Sequence, residues 1–206
     1  GAGAFSGANG LTGITIPKRL APYTRISGET VSGLEGGASV FSGISALGSI
    51  SIEDGGSHYA DVDGIVYTAD LSELIFCPAG YVGAVSIPAS VTRINDKAFY
   101  GCVGVSEISF VGGSLDLVIG ESAFAGCEGI TSITLPENAK SLGKSAFAGC
   151  TALESITLSK HINKFDSSMI ENCPALKSIE VAGGVDGSGF FYDNGALYSA
   201  DKTTLV

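Results

Sequence analysis

Tryptophan is absent from this chain and methionine occurs once, against 30 glycines and an apolar content of 45%. Such a composition fills a narrow, repetitive core, and 206 residues suffice for one continuous domain. Basic residues are scarce: 11 Lys and Arg stand against 21 Asp and Glu, a net charge of −10. Binding a phosphate backbone needs clustered Lys and Arg, so nucleic acid is excluded as a partner, and an anionic membrane surface with it. Histidine is nearly absent too, and neither His58 nor His161 is set near a nucleophile by local sequence. The Gly33 to Gly37 stretch has no phosphate-loop lysine and opens no helix. Asp61-Val62-Asp63-Gly64 starts like a calcium loop, but position 72 is Ser where the bidentate Glu belongs. No catalytic, cofactor or metal residues are therefore assigned, and direct membrane insertion of this segment is not expected.

What the chain has in abundance is repetition. AFYGCVGVSEISF (Ala98 to Phe110), AFAGCEGITSITL (Ala123 to Leu135) and AFAGCTALESITL (Ala146 to Leu158) are variants of one phrase. Aligned on the aromatic, the copies are anchored by Phe5, Phe41, Phe99, Phe124, Phe147 and, degenerately, Ile170. Three residues on stand Ala8, Ile44, Cys102, Cys127, Cys150 and Cys173, and nine on stand Ile14, Ile50, Ile108, Ile133, Ile156 and Ile179. Self-similarity at about 23 residues marks a solenoid, whose coils bury their apolar sides only by stacking. The isoleucine and the apolar residue two positions later, with Ser, Thr or Glu between, form a short strand with one face buried. Strands are expected near 14–16, 50–52, 85–87, 108–110, 133–135, 156–158 and 179–181, in one long parallel sheet. The anchors and the four aligned cysteines form the structural core.

Pro17, Pro88 and Pro136 follow strands directly; lacking an N–H, they end the ladder and turn the chain into a second leg. Val91, Ile94, Leu142, Ile162 and Phe165 on that leg point back inward. The step from aromatic to Cys is too short for a helix, and Gly at 7, 43, 101, 126 and 149 makes it a tight turn. Helix content is low.

Three segments depart from the repeat. Asp63-Gly64 and Asn194-Gly195, flanked by alternating apolar and aromatic residues, are hairpin signals, placing inserted hairpins near 58–76 and 190–206. Phe110 to Leu135 spans 25 residues where its neighbours span 23, while Ile52 to Ile87 spans 35, so the first hairpin lengthens a coil without breaking the sheet. Residues 21–37 form an irregular loop. Chain 1–206 is thus one solenoid domain, expected to be a piece of a longer protein because no polar capping coil is visible.

Five cysteines raise the question of disulfides or zinc. Four share one repeat position that Ala8 and Ile44 fill elsewhere, which indicates packing. Spacings of 23 to 25 residues match no zinc motif, and Cys77 stands alone beside Pro78. All five thiols are expected to be free.

The pattern Pro-x-x-Val-x-x-Ile-x-x-x-x-Ala-Phe-x-x-Cys-x-x-Val-x-x-Ile-x-Phe, spelled by Pro88 to Phe110, resembles the BspA-type (Treponema-type) leucine-rich repeat. Asp63 to Asp70 and Asn194 to Asp201 are similar to the hairpin such proteins insert between coils. The resemblance implies a leucine-rich-repeat solenoid, a right-handed β-rich superhelix with about seven short parallel strands, little helix and two inserted hairpins. It also implies a bacterial protein displayed at the cell surface or secreted, active in adhesion, with a protein or glycan ligand, host-derived ones among the candidates. A structural spacer that carries another domain is the alternative, and a surface hydrolase a weaker one. Candidate ligand-binding residues are Tyr23 and Arg25 in the loop, Tyr59 and Tyr192 on the hairpins, and Glu107, Ser109, Thr134, Thr157 and Glu180 on the exposed face of the strands.

Overall fold

A computed structural model describes residues 5, 7–20, 23–24, 30–31, 40–41, 44–162, 165, 167–182, 190–193 and 196–199. In chain order its strands are β1 (Gly13–Ile16), β2 (Tyr23–Thr24), β3 (Thr30–Val31), β4 (Ser49–Ile52), β5 (Tyr59–Val62), β6 (Ile65–Thr68), β7 (Glu73–Phe76), β8 (Gly83–Ile87), β9 (Arg93–Ile94), β10 (Val105–Phe110), β11 (Leu117–Ile119), β12 (Ser132–Thr134), β13 (Ala139–Leu142), β14 (Ser155–Leu158), β15 (Ser178–Val181), β16 (Phe190–Asp193) and β17 (Ala196–Ser199). Almost no helix accompanies them; one 3₁₀ turn, Ser167–Ile170, sits at the degenerate coil.

All seven strands expected from the repeat are present, as β1, β4, β8, β10, β12, β14 and β15, and they pair in parallel with equivalent residues opposite one another, as in Ile14↔Ile50 and Ile133↔Ile156↔Ile179. The front face is not one continuous ladder, however. Hydrogen bonding joins β1 to β4, β8 to β10, and β12 to β14 and β15, with breaks between β4 and β8 and between β10 and β12.

The first break corrects the expectation that the hairpin leaves the sheet intact. In a parallel ladder alternate residues bond to opposite neighbours. On β4 the Ile50 and Ile52 amides face away from β1, where the next coil's strand would normally receive them. Instead Ile50 N donates to Gly64 O (2.9 Å) and Ile52 N to the Asp61 carboxylate (2.7 Å). The β5–β6 turn has Asp63 at φ 52 and Gly64 at φ 82, the left-handed conformation a two-residue hairpin demands. It is seated so close that a Cβ on Gly64 would lie 2.8 Å from Ser49 Cβ.

The second leg is itself a sheet, a feature the sequence reading did not foresee. Strands β7, β9, β11 and β13 pair in parallel, and β6 and β5 extend that sheet antiparallel from β7. Because β6 is covered on both sides, Ile65 and Tyr67 enter one core and Val66 the other. The hairpin is thus a wall between two cores. One extends through the coils up to Ile179; the other holds Ile16, Phe41, Ile44, Ile50, Tyr59, Ile75 and Phe76.

The anchors stack as expected, but in two ladders. Phe5, Phe41 and Phe76 lie with ring centroids 5.3 and 5.5 Å apart, and Phe99, Phe124 and Phe147 at 5.4 and 5.5 Å. Between them the anchor slot belongs to Cys77. Its amide donates to Ala98 O, just as Phe99 N donates to Ala123 O and Phe124 N to Ala146 O. Cys77 is therefore no isolated tail residue, because Phe76 serves one core and Cys77 the next. At the ends the anchors are less enclosed: Phe5 is half-buried, and Ile170 is also half-buried while the adjacent Met169 takes the enclosed place.

All five thiols are free and buried. Cys127 Sγ donates to Phe99 O (3.2 Å), Cys150 Sγ to Phe124 O (3.1 Å) and Cys173 Sγ to Phe147 O (3.1 Å). These three thiols, like that of Cys102 on Cys77 O, fill small apolar spaces and hydrogen-bond the carbonyl of the preceding coil's anchor, which Ala cannot do, whereas Cys77 Sγ donates to the neighbouring Pro78 O. Burial pushes the Cys77, Cys127 and Cys173 thiols up from their ordinary pKa, and that of Cys150 up to about 12.

Residues 21–37 are not wholly irregular, since β2 and β3 pair antiparallel with Tyr23 opposite Val31. The second expected hairpin is represented by β16 and β17, Tyr192 opposite Leu197, and its continuation through 200–206 lies outside the described residues.

Candidate functional site

The second break in the front ladder, between β10 and β12, gathers three of the sequence-selected residues. Val111 N bonds Ile87 O on one side and Leu135 N bonds Thr157 O on the other. By alternation, the main-chain groups of Ile108 and Phe110 on β10, and of Ser132 and Thr134 on β12, therefore face the gap. No ladder pairs the two strands there. Two features accompany the opening: the 25-residue spacing across this coil and the register shift between Val105 and Glu107.

The opening is a surface cleft of about 440 Å³ lined by Ser106, Glu107, Ile108, Ser109, Phe110, Thr131, Ser132, Thr134 and Pro136. Glu107, Ser109 and Thr134 thus sit around one concavity, all exposed. Thr157 and Glu180 extend the row, since Thr134 is opposite Thr157 and Thr157 opposite Glu180. Chemically the cleft presents hydroxyls, one carboxylate and main-chain amides and carbonyls that no ladder uses. It suits a ligand rich in hydrogen-bonding groups. Ser106, Thr131 and Ser132 were not singled out from sequence, where they read only as turn and strand residues.

The other candidates do not join them. Tyr59 is buried in the N-terminal core at 4% exposure, its hydroxyl without a hydrogen-bond partner, so it is not an exposed contact residue. It sits on the β5 face turned toward that core, beside Val66 and Ile75. Arg25 and the side chains of Tyr23 and Tyr192 lie outside the described residues. Exposed apolar side chains stand on the coils of β8 and β10, where Val82, Val103 and Tyr100 are 80%, 54% and 53% exposed; in the places of Val103 and Tyr100 the coils of β12 and β14 carry Glu128 and Thr151, Ala125 and Ala148. Among the described residues no group of three or more His, Cys, Asp or Glu side chains could hold a metal ion, and no helix is long and apolar enough to cross a membrane.

Stacked coils of this length, with a front strand, a tight turn at a buried aromatic and a second leg, define a leucine-rich-repeat solenoid. The profile described as BspA type leucine rich repeat region matches residues 70–196 in six copies, and the chain belongs to that family. A leucine-rich repeat protein from Eubacterium ventriosum is 20% identical with a TM-score of 0.65, over 82% of this chain and 41% of its own. A leucine rich cell surface protein from Faecalibacterium prausnitzii is 27% identical with a TM-score of 0.53, over 71% of this chain and 45% of its own. The pneumococcal vaccine antigen PcpA is 22% identical with a TM-score of 0.59, over 87% and 47%. The chain thus spans less than half the length of each of these proteins. A comparison with curated protein sequences finds no match.

Proposed function

We propose that this chain is a binding module of a bacterial surface or secreted protein, which recognises a protein or glycan without performing chemistry on it. The observation that carries the reading is the cleft between β10 and β12, where Glu107, Ser109 and Thr134 surround a concavity that the rest of the front face lacks a reason to form. A repeat used only as a scaffold gains nothing from leaving two strand edges unpaired, whereas a ligand that hydrogen-bonds there recovers those groups. Display at a cell surface accords with the likeness to a leucine rich cell surface protein of Faecalibacterium prausnitzii. Among the residues that line the cleft, Glu107 has no histidine, cysteine or second carboxylate beside it, which supports binding over hydrolysis.

A spacer role has its own supporting observation: away from the cleft the exposed front positions are small, as at Ser49, Ser51, Ser155 and Ser178. The two are separated by a binding screen of immobilised extracellular-matrix proteins and glycans with the wild-type chain and a Glu107→Ala/Thr134→Ala variant. A binding module should show at least one saturable partner, weakened about tenfold or more in the variant. Absence of any partner would favour the spacer, full retention of affinity would move the site off the cleft, and turnover of a tested polymer would overturn the non-enzymatic reading.

A further inference from the structure

A second concavity lies on the opposite side of the solenoid, where the inserted hairpin meets the second-leg sheet. One cavity of about 410 Å³ beside the hairpin and another of about 370 Å³ over β9 share Glu73 and Asn95, so they form one groove across β7 and β9. Its polar groups are fixed in place yet incompletely used. Asp70 Oδ1 accepts from Thr68 Oγ1 (2.7 Å), Ser72 Oγ (2.7 Å) and Ser72 N (3.0 Å). Its Oδ2 has no partner among the described residues. Those hydrogen bonds hold the Asp70 carboxyl down to about 2, keeping it an acceptor.

Asn95 is nine-tenths buried and borders both cavities. Arg93 Nε can only donate, so the Asn95 atom 2.9 Å from it is the carbonyl oxygen. The amide nitrogen is left without a partner among the described residues, at the edge of the groove. That nitrogen is not sealed from solvent; the buried polar atom without a partner at this cavity is the Tyr59 hydroxyl, and such an orphan is costly to leave unpaired. Tyr59 and Ile75 add an apolar wall.

The mixture selects a ligand class. An anion would meet Asp70, Glu73 and Asp96, while a metal ion finds no cluster of three ligands among the described residues. A neutral polyhydroxylated molecule fits, since each hydroxyl both donates and accepts and its C–H face can rest on the apolar wall. We propose that the groove between the β5–β6 hairpin and strands β7 and β9 is a saccharide site, with Asp70 and Glu73 accepting from sugar hydroxyls and Asn95 and Arg93 donating to them. It is separate from the front cleft and does not depend on that cleft's function.

Two isosteric swaps test it on the full chain. Asp70→Asn keeps an oxygen for Thr68 and Ser72 but loses the free acceptor; Asn95→Asp keeps the partner of Arg93 but loses the donors. Thermal melts verify folding of both, and Asp70→Asn, at an exposed turn, stands alone if Asn95→Asp fails to fold. The probes are soluble chitin, mannan and galactan oligosaccharides, read by saturation-transfer NMR and titration calorimetry. Wild type and a Glu107→Gln variant of the front cleft should bind one of these equally, and each folded swap should weaken it about tenfold or more. The proposal is overturned if no oligosaccharide binds at millimolar concentration, if the swaps bind like wild type, or if Glu107→Gln loses binding. Binding of poly-lysine but no sugar, abolished by Asp70→Asn, would likewise replace it with a cationic partner.

Discussion

From Cys77 to Val181, the opening between β10 and β12 aside, each coil solves its problems with the equivalent residue of the next coil, whereas from Phe5 to Phe76 the chain relies on a one-time insertion. In the uniform block the anchor amide bonds the residue before the next anchor, the cysteine thiol bonds the previous anchor's carbonyl, and Lys160–Glu137 and Lys177–Glu154 pair neighbouring coils at 2.6 and 2.9 Å. In the other block the free edge of β4 is completed by Gly64 O and the Asp61 carboxylate. Repeated devices share their burden over many coils, while a one-time device has no substitute. The surface openings lie where the repeat is departed from: one beside the inserted hairpin, one at the longer coil.

The largest expected contrast is between anchors. Phe124→Ala, in the middle of a stack at 0% exposure, should cost about 3–5 kcal/mol of unfolding free energy by denaturant titration, since a large buried ring leaves a cavity. Phe5→Ala, half-buried at the end of the other stack, should cost about 1–2 kcal/mol. Equal costs would mean that the two cores do not differ in enclosure.

Next in size is the seam. Gly64→Ala combines a φ of 82 with a Cβ 2.8 Å from Ser49 Cβ, and should cost about 2–3 kcal/mol. Gly126→Ala, at φ 73 but with its nearest contact the Gly101 Cα at 3.4 Å, should cost about 1 kcal/mol. A neutral Gly64→Ala would detach the hairpin from β4.

Alkaline titration addresses the thiol ladder. A thiol whose folded pKa is raised stabilises the fold fully below its unfolded value and loses that contribution as pH climbs toward the folded value. For Cys150 the window runs from the ordinary thiol value of 9.0 up to about 12, with a slope of about 1.4 kcal/mol per pH unit. Cys150→Ala should flatten the fall in stability across that window, and thiol reagents at pH 8 should label the five cysteines only after denaturation. Rapid native labelling of four or more would contradict the buried ladder.

The smallest effect belongs to the surface. Lys160→Ala removes an exposed pair with Glu137 and should change stability by less than about 1 kcal/mol, shrinking further in high salt.

The uniform block was largely legible in the sequence, because spacing recurs wherever the same contact recurs: Phe99, Phe124 and Phe147, the aligned cysteines, and every front strand. Legibility ended where contact partners were unique. That Phe76 and Cys77 would divide between two cores has no periodic signal, although Phe76 lies 23 residues before Phe99. Tyr59 resembles a surface aromatic until β5 is known to turn that side chain inward. On the front face, Glu107, Ser109 and Thr134 were legible as exposed positions, but the gap that unites them follows from pairing geometry. The groove at Asp70 and Asn95 joins residues 25 apart through the parallel pairing of β7 with β9, which local sequence does not announce.

The most direct measurement is residue-resolved amide hydrogen exchange of the folded chain. If the front ladder is broken at two places and completed at one of them by the hairpin, the Ile50 and Ile52 amides should be as protected as those of Val111 and Leu135, while Ile108, Phe110, Ser132 and Thr134 exchange orders of magnitude faster. Uniform protection across β10 and β12 would close the cleft, and rapid exchange at Ile50 and Ile52 would unseat the hairpin; either result contradicts the account.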